Sequence, residues 1–157
     1  KPLLIIPESA EFNTLHRIAL ATDEARLIRM HVVNSLKSLG EHFGSRIHVV
    51  KVLKTNAGIV EELTSRSDAF VSLLKPLDVE FNFPRARNVS LALDEFTNEN
   101  KIDLLAVIPH HHSFLERIFV RSDTRELIFH SRIPLLVIPE SIKPAIKKSE
   151  QLQHHVS

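Results

Sequence analysis

Two eight-residue stretches, one near each end of this chain, differ at a single position. Residues 2–9 read Pro-Leu-Leu-Ile-Ile-Pro-Glu-Ser, and residues 134–141 read Pro-Leu-Leu-Val-Ile-Pro-Glu-Ser. The offset, 134 − 2 = 132 residues, is about the length of one α/β domain. Seven identities in eight positions, both prolines included, point to a repeat rather than a chance likeness between two buried strands. The expected organisation follows. The chain opens on the last strand of one domain and then runs through the whole of the next, and an opening Lys1 fits a segment of a longer tandem protein. Residues 1–12 are expected to be that terminal strand and its linker, 13–141 the domain, and 142–157 a polar, Lys-rich, disordered tail.

The segments between the copies alternate. Residues 16–22 form a short apolar run ending in the polar cluster Thr22, Asp23, Glu24, which reads as a buried strand feeding a loop. Residues 29–43 carry Met30, Val33, Leu36 and Leu39 at helical spacing, with Gly40 and Gly44 as candidate stops. Residues 46–53 are β-branched and predict a strand, residues 59–74 a helix through Leu63, Phe70 and Leu74. Residues 77–83 alternate apolar and polar, as a half-exposed strand does. Asn88 is placed to cap a helix through Leu91, Leu93 and Phe96. Residues 102–108 read as a fully buried strand, a last helix opens at Ser122 or Asp123 with capping-box spacing to Glu126, and residues 133–138 form the final strand. Strands alternating with helices of this length predict an α/β fold with a mainly parallel sheet. Ligands of such sheets bind beyond the carboxyl ends of the strands, where the strand order reverses. Residues 21–25 and 109–113 are expected to meet there.

Composition narrows the function. At 157 residues with 43% hydrophobic and 25% charged residues, the chain is an ordinary globular domain with room for a core. Its net charge of +1 gives no electrostatic case for nucleic acid or an anionic membrane. It contains no cysteine, which excludes disulfides and thiolate chemistry and is compatible with a cytoplasmic location. No apolar run is long enough to span a bilayer.

Three segments in this order resemble the universal stress protein family. Arg17-Ile-Ala-Leu-Ala-Thr-Asp23 is similar to the family's first strand, which ends in an aspartate. Ile102-Asp-Leu-Leu-Ala-Val resembles its fourth strand. Leu115-Glu-Arg117, Ser122 and Ile133-Pro-Leu-Leu-Val-Ile-Pro139 resemble the segment that closes the domain. The resemblance covers residues 15–140. It implies a Rossmann-like α/β fold of the adenine-nucleotide alpha hydrolase type: a five-stranded sheet of order 3-2-1-4-5 with helices on both faces. It further implies that the last strand pairs with the equivalent strand of a second domain, in a homodimer or a tandem chain. With the repeat, it predicts that residues 3–6 pair antiparallel with residues 135–138, so Leu3, Ile5, Leu135 and Val137 are the expected interface. Left unpaired, either segment would be an apolar sheet edge prone to aggregate.

Some members of that family bind ATP through glycines after the fourth strand, which let backbone N–H groups approach phosphate closely. Anchored on Leu115-Glu-Arg117, this chain has Ile108, His111 and Arg121 at those three positions, and only Ser122 is kept. All three of its glycines lie at or before Gly58. The expectation is therefore the non-nucleotide branch, with no cofactor. Were a nucleotide to bind, Asp23, His111, Arg121 and Ser122 would be its neighbours.

His110, His111 and His112 invite a metal reading. Three consecutive side chains in an extended loop diverge, however, whereas zinc draws convergent ligands. A solvated polar loop is the simpler reading, and a pH-responsive interface is the other alternative. Asp23 and Glu24 are adjacent and do not form a catalytic carboxylate pair. No nucleophile elbow, Walker loop or metalloprotease helix occurs, and Ser113 and Ser122 lack an activating motif. The sequence thus predicts a non-catalytic module that acts by domain pairing and protein interaction, with an ATP switch and a histidine-loop sensor as alternatives.

Overall fold

One strand of this chain has no face for water. In the computed structural model, which describes residues 1–11, 14–22, 29–54, 62–108 and 132–139, the strand Arg17–Ala21 buries Ile18, Ala19, Leu20 and Ala21. A strand buried on both sides belongs in the middle of a layered sheet. The described strands are β1 (Leu3–Ile5), β2 (Arg17–Ala21), β3 (Arg46–Val50), β4 (Val79–Asn82), β5 (Leu104–Val107) and β6 (Leu135–Val137). They form one sheet of order β1-β6-β5-β2-β3-β4. All contacts among β2 to β6 are parallel, and these five strands have the expected 3-2-1-4-5 order. The sixth strand is β1, which joins β6 antiparallel within the chain.

Helices α1 (Met30–Phe43) and α2 (Glu62–Leu74) cover one face, and α3 (Val89–Glu99) covers the other. The two faces differ in bulk. Ile18, Leu20, Ile47, Val49 and Leu104 meet Val32, Val33 and Leu36 of α1 and Phe70 and Leu74 of α2. The opposite face offers Ala19 and Ala21 beneath Leu93 and Phe96 of α3. Small residues on the central strand thus face the larger side chains of α3.

Local signals explain the helix ends. Gly44 takes the left-handed conformation (φ 64°, ψ 39°) and its N–H reaches the carbonyl of Gly40, which stops α1. Of the two candidate stops, Gly44 is the one that acts. Gly40 lies buried inside α1, where a Cβ would come within 2.6 Å of Leu77 Cδ1. Asn88 caps α3 as expected, its side-chain oxygen accepting from Leu91 N at 3.1 Å.

Some sequence expectations need correction. Met30 and Leu91 are expected on the apolar stripes yet are exposed, because Met30 shares a helix face with exposed Asn34 and Glu41, and Leu91 shares one with exposed Glu95 and Asn98. Val32, outside the expected stripe, is fully buried. The second strand of the parallel set ends at Val50 rather than Leu53, and Leu53 makes an isolated bridge to Arg85. The expected helix from Ser122 or Asp123 and the tail from 142 lie outside the described residues.

Candidate functional site

The chain runs outward from β2 through β3 to β4, then returns to place β5 on the other side of β2. The order therefore reverses between β2 and β5, the position where open α/β sheets bind ligands. Ala21 and Val107 stand side by side at the carboxyl ends of these strands. Thr22 follows, buried, with its N–H donating to Val50 O at 3.1 Å. On the other side, Ile138 N donates to Val107 O at 2.9 Å, continuing the sheet past the end of β6. The first turn of α1 closes over the crevice: His31 Nε2–H donates to the Pro139 carbonyl at 2.7 Å. Of the two segments expected to meet here, residues 21–25 are described only at Ala21 and Thr22, and residues 109–113 lie outside the described residues.

Asp23, His110, His111, His112, Ser113, Arg121 and Ser122 lie outside the described residues. Among the described residues, no group of three or more histidine, cysteine or carboxylate side chains could hold a metal ion. Ile108, at the first of the three glycine positions of the ATP-binding pattern, is described. It is 7% exposed and belongs to the core that also holds Leu20, Val32, Leu36 and Ile138. The position serves packing. A residue with this role does not fit a glycine-built phosphate cradle, and glycine there would leave a hole in the core.

A second constellation lies at the sheet edge. In the β1–β6 ladder Leu3 faces Val137, Leu4 faces Leu136, and Ile5 faces Leu135. The sequence repeat equates Leu3 with Leu135, Leu4 with Leu136, and Ile5 with Val137. Each partner therefore sits where a two-fold axis through the Leu4–Leu136 pair would put it. The ladder has the self-complementary register of an isologous contact. Burial breaks that symmetry. Leu3 is 58% exposed but its twin Leu135 only 5%; Ile6 is 56% exposed but its twin Ile138 only 1%. β6 is backed by helices and a neighbouring strand, while β1 shows one edge and much of its apolar surface to solvent.

Sequence reasoning missed His48, the third residue of β3. It is 5% exposed on the α3 face, amid a β-branched run that masks its polarity. The signal was one histidine at a position whose alternation demands burial.

No protein-family model matches the chain, and no curated protein matches it. Solved structures do. A universal stress protein from Archaeoglobus fulgidus DSM 4304 superposes with a TM-score of 0.63 at 13% identity, over 89% of this chain and 50% of that one. A universal stress protein in complex with cAMP gives 0.60 at 18% identity, over 82% of this chain and 100% of that one. The universal stress protein from Archaeoglobus fulgidus in complex with dAMP gives 0.54 at 15% identity, over 78% and 97%. The chain thus spans about half the length of the first and the full length of the second. These likenesses show that the chain has the α/β fold of universal stress proteins.

Proposed function

We propose that this chain is a universal stress protein domain of the non-nucleotide branch, a non-catalytic cytoplasmic module that works by pairing its last strand with a second domain of the same fold. The observation that carries this reading is the β1–β6 ladder, whose register is self-complementary and whose β1 half lacks the cover that its twin enjoys. On this reading β1 stands for the last strand of the partner domain, and the apolar surface of Leu3, Leu4 and Ile6 is what the rest of that domain covers. A tandem neighbour or a second copy supplies it. Sedimentation of the chain with and without residues 1–8 tests the pairing.

The alternative, an ATP-binding or slowly hydrolysing switch, draws on the cAMP and dAMP complexes of the structural neighbours. The α1 N-terminus at the crevice, with no acid in its first turn, would also favour an anion. Against it stands Ile108, whose side chain is committed to the core. Calorimetric titration with Mg·ATP, cAMP and dAMP decides between the two. The non-nucleotide reading expects no dissociation constant tighter than about 10 μM, near −7 kcal/mol. A tighter constant establishes the switch.

A further inference from the structure

His48 is a buried base without a partner. Neither ring nitrogen has a hydrogen-bond partner among the described residues. Its neighbours on every side can be named. On β2, Ala19 stands beside it in register, with Arg17 further along the strand. On β4, Glu80 stands beside it, with Oε2 3.9 Å from His48 Nδ1, and Asp78 lies just before that strand. On β3 itself, Arg46 is two residues away and reaches the same Glu80 oxygen at 3.6 Å. From α3 comes the ring of Phe96, edge to face at a centroid distance of 6.1 Å. The imidazole is thus clamped between an aromatic ring and an alanine, one short step from a carboxylate it does not touch.

We propose that His48 is an acid-sensitive latch for α3: the neutral ring packs as an apolar wedge beneath Phe96, and a proton on it drives the ring toward Glu80 and water and loosens α3 from the β3–β4 side of the sheet. The neutral state is the packed one because an uncharged imidazole tolerates this apolar setting at the cost of two unmade hydrogen bonds, whereas an imidazolium must be solvated or paired. Among the described residues Glu80 is the carboxylate within 4 Å of the ring, and Arg46 already draws on it.

The charge balance agrees with the geometry. Burial pushes the His48 imidazole below its ordinary value of 6.5; Glu80 acts to raise it, Arg46 and Arg17 lower it, and Asp78 raises it. The folded protein therefore binds fewer protons at this ring than the unfolded chain does. The stability that His48 contributes is complete above pH 6.5 and is lost as the pH falls below it.

The test is amide hydrogen exchange of α3, corrected for intrinsic rates, together with thermal unfolding between about pH 7.5 and pH 5, a range that spans the ordinary histidine value. In the unaltered protein, α3 protection and the unfolding midpoint should both fall on acidification. His48→Leu should remove the part of the fall that this ring causes, and Glu80→Gln should steepen it by taking away the group that favours the proton. A His48→Leu profile parallel to that of the unaltered protein, or a Glu80→Gln profile that is flatter, overturns the proposal. Should His48→Leu fail to fold, the ring signals of His48 in the unaltered protein decide: a titration midpoint at or above 6.5 overturns it, and one below supports it.

Discussion

Deleting residues 1–8 should change how the protein associates more than how stable it is. Fully burying a leucine or isoleucine side chain contributes about 1.5–3 kcal/mol. Leu3 remains 58% exposed and Leu4 46%, so the two leucines together bring about 2 kcal/mol on that scale. Ile5, packed against the α3-side core, adds about 1 kcal/mol. Holding the three residues of β1 in a strand costs about 1–2 kcal/mol each in backbone entropy, and each strand hydrogen bond returns about 1 kcal/mol. The terms nearly cancel, so the deletion should lower the unfolding free energy by no more than about 1–2 kcal/mol. What it does instead is bare the edge of β6. That edge has a register that suits a second β6, with Leu136 facing its own copy. The truncated chain should therefore sediment as a dimer at micromolar concentration. Leu136→Lys, at a position only partly buried in the single chain, should return it to monomer. Val137→Lys is the poorer probe, because Val137 lies in the core beneath α3 and its loss would report on folding. A truncated chain that stays monomeric and equally stable refutes the reasoning.

Gly44→Ala should cost about 1–2 kcal/mol by denaturant unfolding, purely through its left-handed backbone, since nothing lies within 4 Å of the added Cβ; a negligible change would mean the C-cap relaxes. Asn88→Ala should lose about 1 kcal/mol through the cap on Leu91 N, and Asn88→Asp should retain most of it.

The sheet was legible because its central strands are buried on two faces, its β4 edge alternates and its helices are periodic, so composition and spacing agree at each step. Asn88 and Gly44 were legible for the same reason: each is a residue type with one favoured job at a helix end. The edge ladder was legible through the repeat, and the structure adds its register. What sequence could not settle depended on which face of an element meets the sheet. Met30 and Leu91 are apolar and helical yet lie on the solvent faces of α1 and α3. Gly40 resembles a stop but provides room for Leu77, a contact made across 37 residues (77 − 40). His48 was hidden because a polar residue in an apolar strand shows its cost only when its neighbours are known. For the crevice, the sequence identified Ile108 as a departure from the glycine pattern, and the fold shows why: the side chain is part of the core.

The β1–β6 ladder also has a consequence in time. Its two strands are the first and the last of the described strands to be synthesised, 132 residues apart. At ordinary ribosomal speeds of about 5–20 residues per second, β1 waits about 7–26 seconds for its partner. Throughout that interval Leu3, Leu4, Ile5 and Ile6 are without the β6 edge that they pair with in this fold. A newly finished β6 on a neighbouring ribosome of the same message presents the same register. Crowded translation therefore favours exchange between sibling chains, whereas widely spaced ribosomes leave each β1 to close on its own β6.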